Sequence, residues 1–277
     1  KHRVQLVFNH TCLDPGWSIV LKYLKCKGLK IVSVYHNSPF GIYGIRKYPR
    51  LCGIRSNVVK RVLDGSIRRL FYVKYHRQLS MQAEYSDRVV MLSDKFTPEY
   101  LFFAGRRHTP KMAAMPNPLT IEQVPADVAK ENVVLFVGRL ALEKGLPYLL
   151  AVWKRLKDKY PGWQLRIVGE GGERARAEAL ARRYRLKRCT FYGRRQPEPF
   201  YAKAKIFCMT SLFEGFGLVL VEAMAYGVVP LAFNSYANVG DIITDGQDGF
   251  LVKPFDVDAY AAKVARLMDD EALRSRM

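Results

Sequence analysis

Residues 211–227 read SLFEGFGLVLVEAMAYG, and they follow the short apolar run IFCM at 206–209. An unbroken apolar run of four suits a strand buried on both faces, and 218–226 is apolar over a length that suits a helix. Between them Gly215 and Gly217 let the backbone come close to a ligand. Strand, glycine loop and helix in that order make a βα unit, whose loop lies where open α/β sheets bind ligands. The first amides of such a helix lack intrahelical partners and favour an anion. Glu214 and Glu222, with seven residues between them, bracket this loop. With Glu214 in the loop and Glu222 in the helix, the two carboxylates can flank one elongated ligand, and carboxylates accept well from sugar hydroxyls. The plain alternative is a helix-capping Glu214 and a solvated Glu222; the apolar surroundings weigh against it.

Outward from this unit, strand and helix signals alternate along the whole chain. Apolar β-type runs occur at 4–8, 31–35, 89–92 and 112–115, then at 133–137, 165–168, 190–192, 206–209 and 228–233. Helical patterns lie between them, as at 148–160 and 174–184. The alternation predicts parallel sheets covered by helices. The Pro-containing stretch 116–128 (PNPLTIEQVPADV) breaks the rhythm and reads as a linker. Two α/β domains are therefore expected, 1–128 including the linker and 129–277. There is no internal repeat and no low-complexity segment.

Two further strand-ending loops in the second half carry suitable chemistry. In LFVGRLALEKGL the strand ends at Val137, Gly138 and Arg139 follow, and Lys144 precedes Gly145 at the mouth of a helix. Arg offers a planar fork and Lys a point charge, so the pair could bind a diphosphate; surface cations are the alternative. In LRIVGEGGER the glycines are Gly169, Gly171 and Gly172, and Arg174 stands where a dinucleotide fingerprint needs its third glycine. No GxxxxGK[ST] phosphate loop is present.

The 277 residues carry 49% hydrophobic side chains, enough for a sizeable core and against global disorder. The five cysteines, Cys12, Cys26, Cys52, Cys189 and Cys208, form no CxxC pair, which predicts a reducing compartment and mostly buried thiols. Asn9-His10-Thr11 spells a glycosylation sequon, a match expected by chance. No run of eighteen apolar residues suggests a membrane span, and no signal peptide is read. The chain does not begin with Met, which leaves room for an upstream part. Net charge is +20, unevenly placed: residues 1–128 hold 21 Lys+Arg and 8 Asp+Glu, a balance of +13, and the rest give +7. That bias suggests an anionic partner. Residues 67–79, IRRLFYVKYHRQL, mix cations with aromatics as a helix lying on a membrane surface does. The alternative is a packed helix with a solvated basic face.

These segments together carry a resemblance. LFVGRL…EKG, WQLRIVGEG, TFYG and the E-x7-E block within SLFEGFGLVLVEAMAYG resemble the retaining glycosyltransferases of family 4, which have the GT-B fold. DGQDGFLV and LMDDEALRSRM resemble later segments of that family, and VSVYHN, SDRVVMLSD and MPNPL resemble blocks before the linker. The finer likeness is to bacterial members that build surface polysaccharides. The resemblance implies an α/β GT-B architecture of two Rossmann-like domains facing across a cleft. It implies Glu214 beside the donor sugar, with Gly215 and the Phe216, Gly217 and Leu218 backbone holding sugar and phosphates. Glu222 would bind ribose hydroxyls, while Arg139 and Lys144, with Gly138, would neutralise the departing diphosphate. Gly193 and Arg194 would lie at the nucleobase, and His36 would reach the donor sugar from the first domain.

Full family members begin with a glycine-rich loop ahead of the region resembling 4–8 and end with a helix crossing back to the first domain. The N-terminal domain is therefore expected to be incomplete and the crossover helix missing, which bears on whether the chain is active alone. The implied reaction is sugar transfer with retention from a nucleoside-diphosphate sugar to a glycan or lipid-linked acceptor, the leaving phosphate assisting the acceptor on the same face. No acidic metal-binding pair such as DxD is read, which suits metal-independent catalysis, and no metal or other cofactor is expected. A sugar-nucleotide epimerase or phosphorylase of similar architecture would need other site residues. A basic membrane- or nucleic-acid-binding module would explain the charge but not the glycine-flanked glutamates, and nucleic acid is not expected as a partner. The expected location is the cytoplasm, with the basic first domain at the inner face of the plasma membrane.

Overall fold

The computed structural model describes residues 4–10, 14–36, 57–109, 111–119, 121 and 128–277, with the side chains of residues 15 and 57–64 excepted. Cys12, Cys52 and most of the stretch 120–127 lie outside the described residues. The chain divides into two compact units, one of residues 1–117 with Glu214–Phe216, the other of 118–213 and 217–277. The first unit thus ends at Asn117, earlier than the expected boundary at 128.

The first unit runs β1 (Leu6–Asn9), α1 (Pro15–Cys26), β2 (Lys30–Tyr35), α2 (Asn57–Tyr85), β3 (Arg88–Met91), α3 (Thr97–Ala104) and β4 (Met112–Ala114). Its four strands are parallel in the order β1-β2-β3-β4. Asp14 caps α1, accepting from the Gly16 amide at 2.9 Å, which satisfies one of the helix's orphan donors. The core gathers Tyr35, Phe71, Leu79, Val89, Met91, Phe96, Tyr100 and Phe103. Asp87 pins α1 to the sheet: it accepts from Lys25 Nζ at 2.7 Å and from the Ile31 amide at 2.9 Å. The Lys25 hydrogen bond, with the Ile31 amide and Lys30 adding to it, holds the Asp87 carboxyl down at about 2.

The second unit runs β5 (Val133–Val137), α4 (Leu146–Leu156), β6 (Gln164–Val168), α5 (Arg174–Arg183), β7 (Cys189–Gly193), α6 (Glu198–Lys203), β8 (Ile206–Met209), α7 (Leu218–Ala225), β9 (Val229–Phe233), β10 (Phe250–Val252), α8 (Val257–Asp269) and α9 (Glu271–Arg276). The six strands are parallel in the order β10-β9-β8-β5-β6-β7. This is the doubly wound order 3-2-1-4-5-6 read from β7, so the topological switch point falls between β5 and β8. Both faces of the sheet are covered. Trp153, Leu149, Leu165, Val264 and Leu267 lie in one core, and Leu135, Phe207, Met209, Leu220 and Ala223 in the other. Strands buried on both faces read as unbroken apolar runs, which is why VVLFV and IFCM stand out in the sequence.

Three expectations change. Among the three described cysteines Cys26 is exposed, Cys189 half-buried and Cys208 fully buried, so burial is not common to them. β10 joins the sheet although no strand was expected there, because three residues are too few to show a period. Asp256 and Asp258 spell an acidic pair one residue apart, DVD, that the sequence reading passed over. Asp256 caps α8 through the Ala259 amide at 2.9 Å, and Asp258 pairs with Arg155 of α4 at 2.5 Å.

Candidate active site

The loops that follow β5 and β8 flank the switch point, and the backbone ties them together. Thr210 Oγ1 lies 3.2 Å from the carbonyl oxygens of both Lys144 and Gly145. The Leu212 amide donates to the Glu143 carbonyl at 2.7 Å. Gly145 sits at φ 63°, where a Cβ would meet the Thr210 carbonyl oxygen at 2.0 Å. It is also the N-cap of α4, followed by Pro147 in the first turn. Lys144 closes a short 3-10 turn, Leu142–Lys144, and is half-buried.

The glycines that fail the dinucleotide pattern have a different use. A Cβ on Gly169 would stand 1.9 Å from the Gly138 carbonyl oxygen, and one on Gly171 would stand 2.4 Å from that of Leu140. Hydrogen bonds follow the same path: Gly138 amide to Val168, Leu140 amide to Glu170, and Gly169 amide to Gly193 at 2.8 Å. The loops after β5, β6 and β7 are thus packed backbone on backbone. Gly193 is buried at φ 69° beside Arg174 and Glu170, while Arg194 is exposed.

Arg139 and Lys144 come from one turn of chain. Arg139 is 72% exposed and pairs with Glu143, 15% exposed, at 2.5 Å. Glu143 was not expected in the site, although its spacing of four from Arg139 was visible.

Glu214 and Gly215 lie in the loop after β8, Glu214 half-buried and Gly215 buried. The N-cap position of α7 is Gly217, at φ 93°, which has no side chain to cap the helix with. Phe216 is half-buried. Glu222 stands in the second turn of α7 and is not merely solvated: Tyr201 donates its hydroxyl to Glu222 Oε2 at 2.9 Å. Tyr201 is wholly buried. Burial, with the Glu222 charge second, pushes its hydroxyl well above the ordinary range, so the phenol stays a donor. Below it Lys130 donates to the carbonyls of Tyr201 and Tyr226, at 3.1 and 2.7 Å. Desolvation lowers the Lys130 ammonium to about 8.

In the first unit His36 is exposed just past the end of β2. Its Nε2 lies 2.7 Å from Nδ1 of His10, and the two rings stack with centroids 4.9 Å apart. His10 was not among the expected residues.

Residues 120–277 match the family described as glycosyl transferases group 1. The chain belongs to this family. It is 31% identical over 194 residues to an uncharacterized glycosyltransferase of Haemophilus influenzae, covering 69% of this chain and 54% of that protein. It is 33% identical over 147 residues, 52% of this chain and 41% of the other, to the amylovoran biosynthesis glycosyltransferase AmsD of Erwinia amylovora. A lipopolysaccharide 1,6-galactosyltransferase of Salmonella typhimurium is 30% identical over 171 residues, 56% of this chain and 45% of the other. The chain spans about half the length of such curated relatives or less. Among solved structures, Anabaena Alr3699/HepE in complex with UDP superposes with a TM-score of 0.77 at 18% identity, over 98% of this chain and 71% of that one. The lipopolysaccharide outer core galactosyltransferase WaaB, in its apo form, gives 0.64 at 22%, over 96% and 66%. The two parallel α/β sheets of this chain are those of the GT-B fold.

Proposed function

We propose that the chain is part of a retaining glycosyltransferase that moves a sugar from a nucleoside-diphosphate sugar to a glycan or lipid-linked acceptor in polysaccharide biosynthesis. The observation that carries this reading is the tie between the loops after β5 and β8. It sets Arg139 and Lys144 on a loop bound to the one that leads into the N-terminus of α7, whose N-cap residue is Gly217. Cations and helix amides fixed in place before reaction are what a departing diphosphate needs, because its negative charge grows in the transition state. Relatives that assemble amylovoran and lipopolysaccharide, and neighbours crystallised with UDP and UDP-glucose, support the substrate class.

Within that reading Glu222 accepts the ribose hydroxyls and is oriented by Tyr201. Glu214 and His36 contact the donor sugar, and Gly193 with Arg194 borders the nucleobase. Phe216, Gly217 and Leu218 offer backbone amides to sugar and phosphate. Charge on the leaving group is met by Arg139, Lys144 and those amides, with no metal required. Glu143 has a part as well: it anchors the Arg139 guanidinium, which must keep or exchange that partner when phosphate arrives.

Calorimetry with UDP on the full-length protein tests this. Arg139→Ala and Lys144→Ala should each weaken binding by about 1.5–3 kcal/mol, the range for a hydrogen bond to a charged group. Unchanged affinity in both variants overturns the diphosphate assignment.

A further inference from the structure

We infer that the exposed face of α2 is a docking surface for an anionic lipid bilayer, formed by Arg69, Leu70, Val73, Lys74 and Arg77. The inference does not depend on the transferase reading. At 100° per residue these five positions fall on one arc of the helix, and all five are exposed. Leu70 is 63% exposed and Val73 70%. The opposite side of the same helix is sunk in the core through Phe71, Leu79 and Ala83, so the exposed stripe is a fixed surface.

Charge on this stripe has one sign. Between Asp64 and Glu84 the sequence holds no acidic residue, while it holds Arg68, Arg69, Lys74 and Arg77. The neighbouring carboxylates are engaged elsewhere: Asp87 takes Lys25 and Lys30, and Glu84 takes Arg106. Among the described residues none of Arg69, Lys74 and Arg77 has an acidic partner. α1 packs beside α2 and repeats the pattern. Ile19 and Tyr23, one turn apart, are 71% and 60% exposed, Lys22 lies between them, and α1 contains no acid.

Large exposed apolar side chains ringed by cations discriminate between anionic partners. A polyanion such as nucleic acid needs the cations, and its bases stack on aromatic platforms; it gains nothing from Leu70 and Val73. A bilayer uses both, since headgroups attract the cations and the acyl boundary accepts the aliphatic side chains. No helix among the described residues is long and apolar enough to cross a membrane, so the contact is one of lying on the surface.

The test is flotation of the full-length protein with vesicles of phosphatidylcholine alone and of phosphatidylcholine with phosphatidylglycerol, at low and high salt, and with single-stranded RNA as competitor. The wild type should float with the anionic vesicles only, and salt should release it. Arg69→Glu/Lys74→Glu/Arg77→Glu should lower the bound fraction about tenfold or more. Leu70→Ser/Val73→Ser should lower it several-fold with the charge unchanged. The control pair Arg182→Glu/Arg183→Glu, exposed on α5 of the second unit, should bind as the wild type does. No binding to anionic vesicles, equal binding to neutral ones, equal loss in the control, or a serine pair that binds fully and is displaced by RNA would each overturn the assignment. Circular dichroism of each variant separates loss of the surface from loss of fold.

Discussion

Gly145 leaves no room for a side chain, because the carbonyl oxygen of Thr210 stands 2.0 Å from where its Cβ would be. Backbone thus meets backbone at the switch point, and the loop that carries Arg139 and Lys144 is placed by contacts that no rotamer change can relieve. The same fit recurs where Gly169 meets Gly138 and Gly171 meets Leu140.

Gly145→Ala should therefore destabilise the protein by about 2 kcal/mol or more, combining left-handed strain with a displaced loop. Gly172 has nothing within 4 Å of its would-be Cβ and no positive φ, so Gly172→Ala should be neutral or slightly stabilising. Urea unfolding of the two variants compares them directly. Equal stability of both would contradict the backbone contact.

Tyr201→Phe removes the hydroxyl that donates to Glu222 and leaves the ring in place. Stability should fall by roughly 1.5–3 kcal/mol, since the acceptor is a half-buried carboxylate, and under the proposed function donor KM should rise with little change in kcat. Steady-state kinetics with thermal unfolding of the same variant checks both parts.

Under the proposed function the two glutamates should separate kinetically. A group bound to ribose contributes equally before and during reaction, whereas a group at the reacting sugar contributes more in the transition state. Glu222→Ala should mainly raise donor KM; Glu214→Ala and His36→Ala should mainly lower kcat. The reverse pattern for the glutamates would exchange their roles, and no effect from either would make the pair structural. The 2.7 Å contact to His36 places His10→Ala with the kcat group.

Acid should loosen the first unit through Asp87. Its carboxyl is held at about 2, below the ordinary 3.8. The stabilisation is therefore fully present above about pH 4 and is lost as pH falls toward 2. With both partners part-exposed it is worth on the order of 1–2 kcal/mol. Urea midpoints of wild type and Asp87→Asn should differ at pH 6 and converge near pH 2; a gap that stays constant with pH would assign the effect to something other than ionisation.

Much of the fold was legible because the central strands are buried on both faces, so Val133–Val137 and Ile206–Met209 are apolar without interruption. α2 was read only over residues 67–79 and extends from Asn57 to Tyr85, because its basic face gives no clean period. Gly138 and Arg139, which follow a strand, were proposed from position, whereas Gly193 entered only through the family resemblance. Tyr201 and His10 could not be placed: each meets its partner, Glu222 or His36, across 21 or 26 residues of chain. Such a meeting is fixed by how strands and helices pack, which no local pattern records. Gly169 and Gly171 were read as a failed nucleotide motif, because spacing shows that glycine is needed without showing what comes close to it.

The interlocked glycines also restrict how the gene can drift. Any single-base change that replaces a glycine adds a Cβ, and at Gly145, Gly169 and Gly171 that atom would land within 2.4 Å of a main-chain oxygen. Point mutation can alter these positions only by breaking the scaffold. Arg194 and Arg139, both exposed, carry no such penalty. New substrate preferences would arise by exchanging side chains around a frame that stays invariant, so lineages diverging in chemistry would still superpose at this turn.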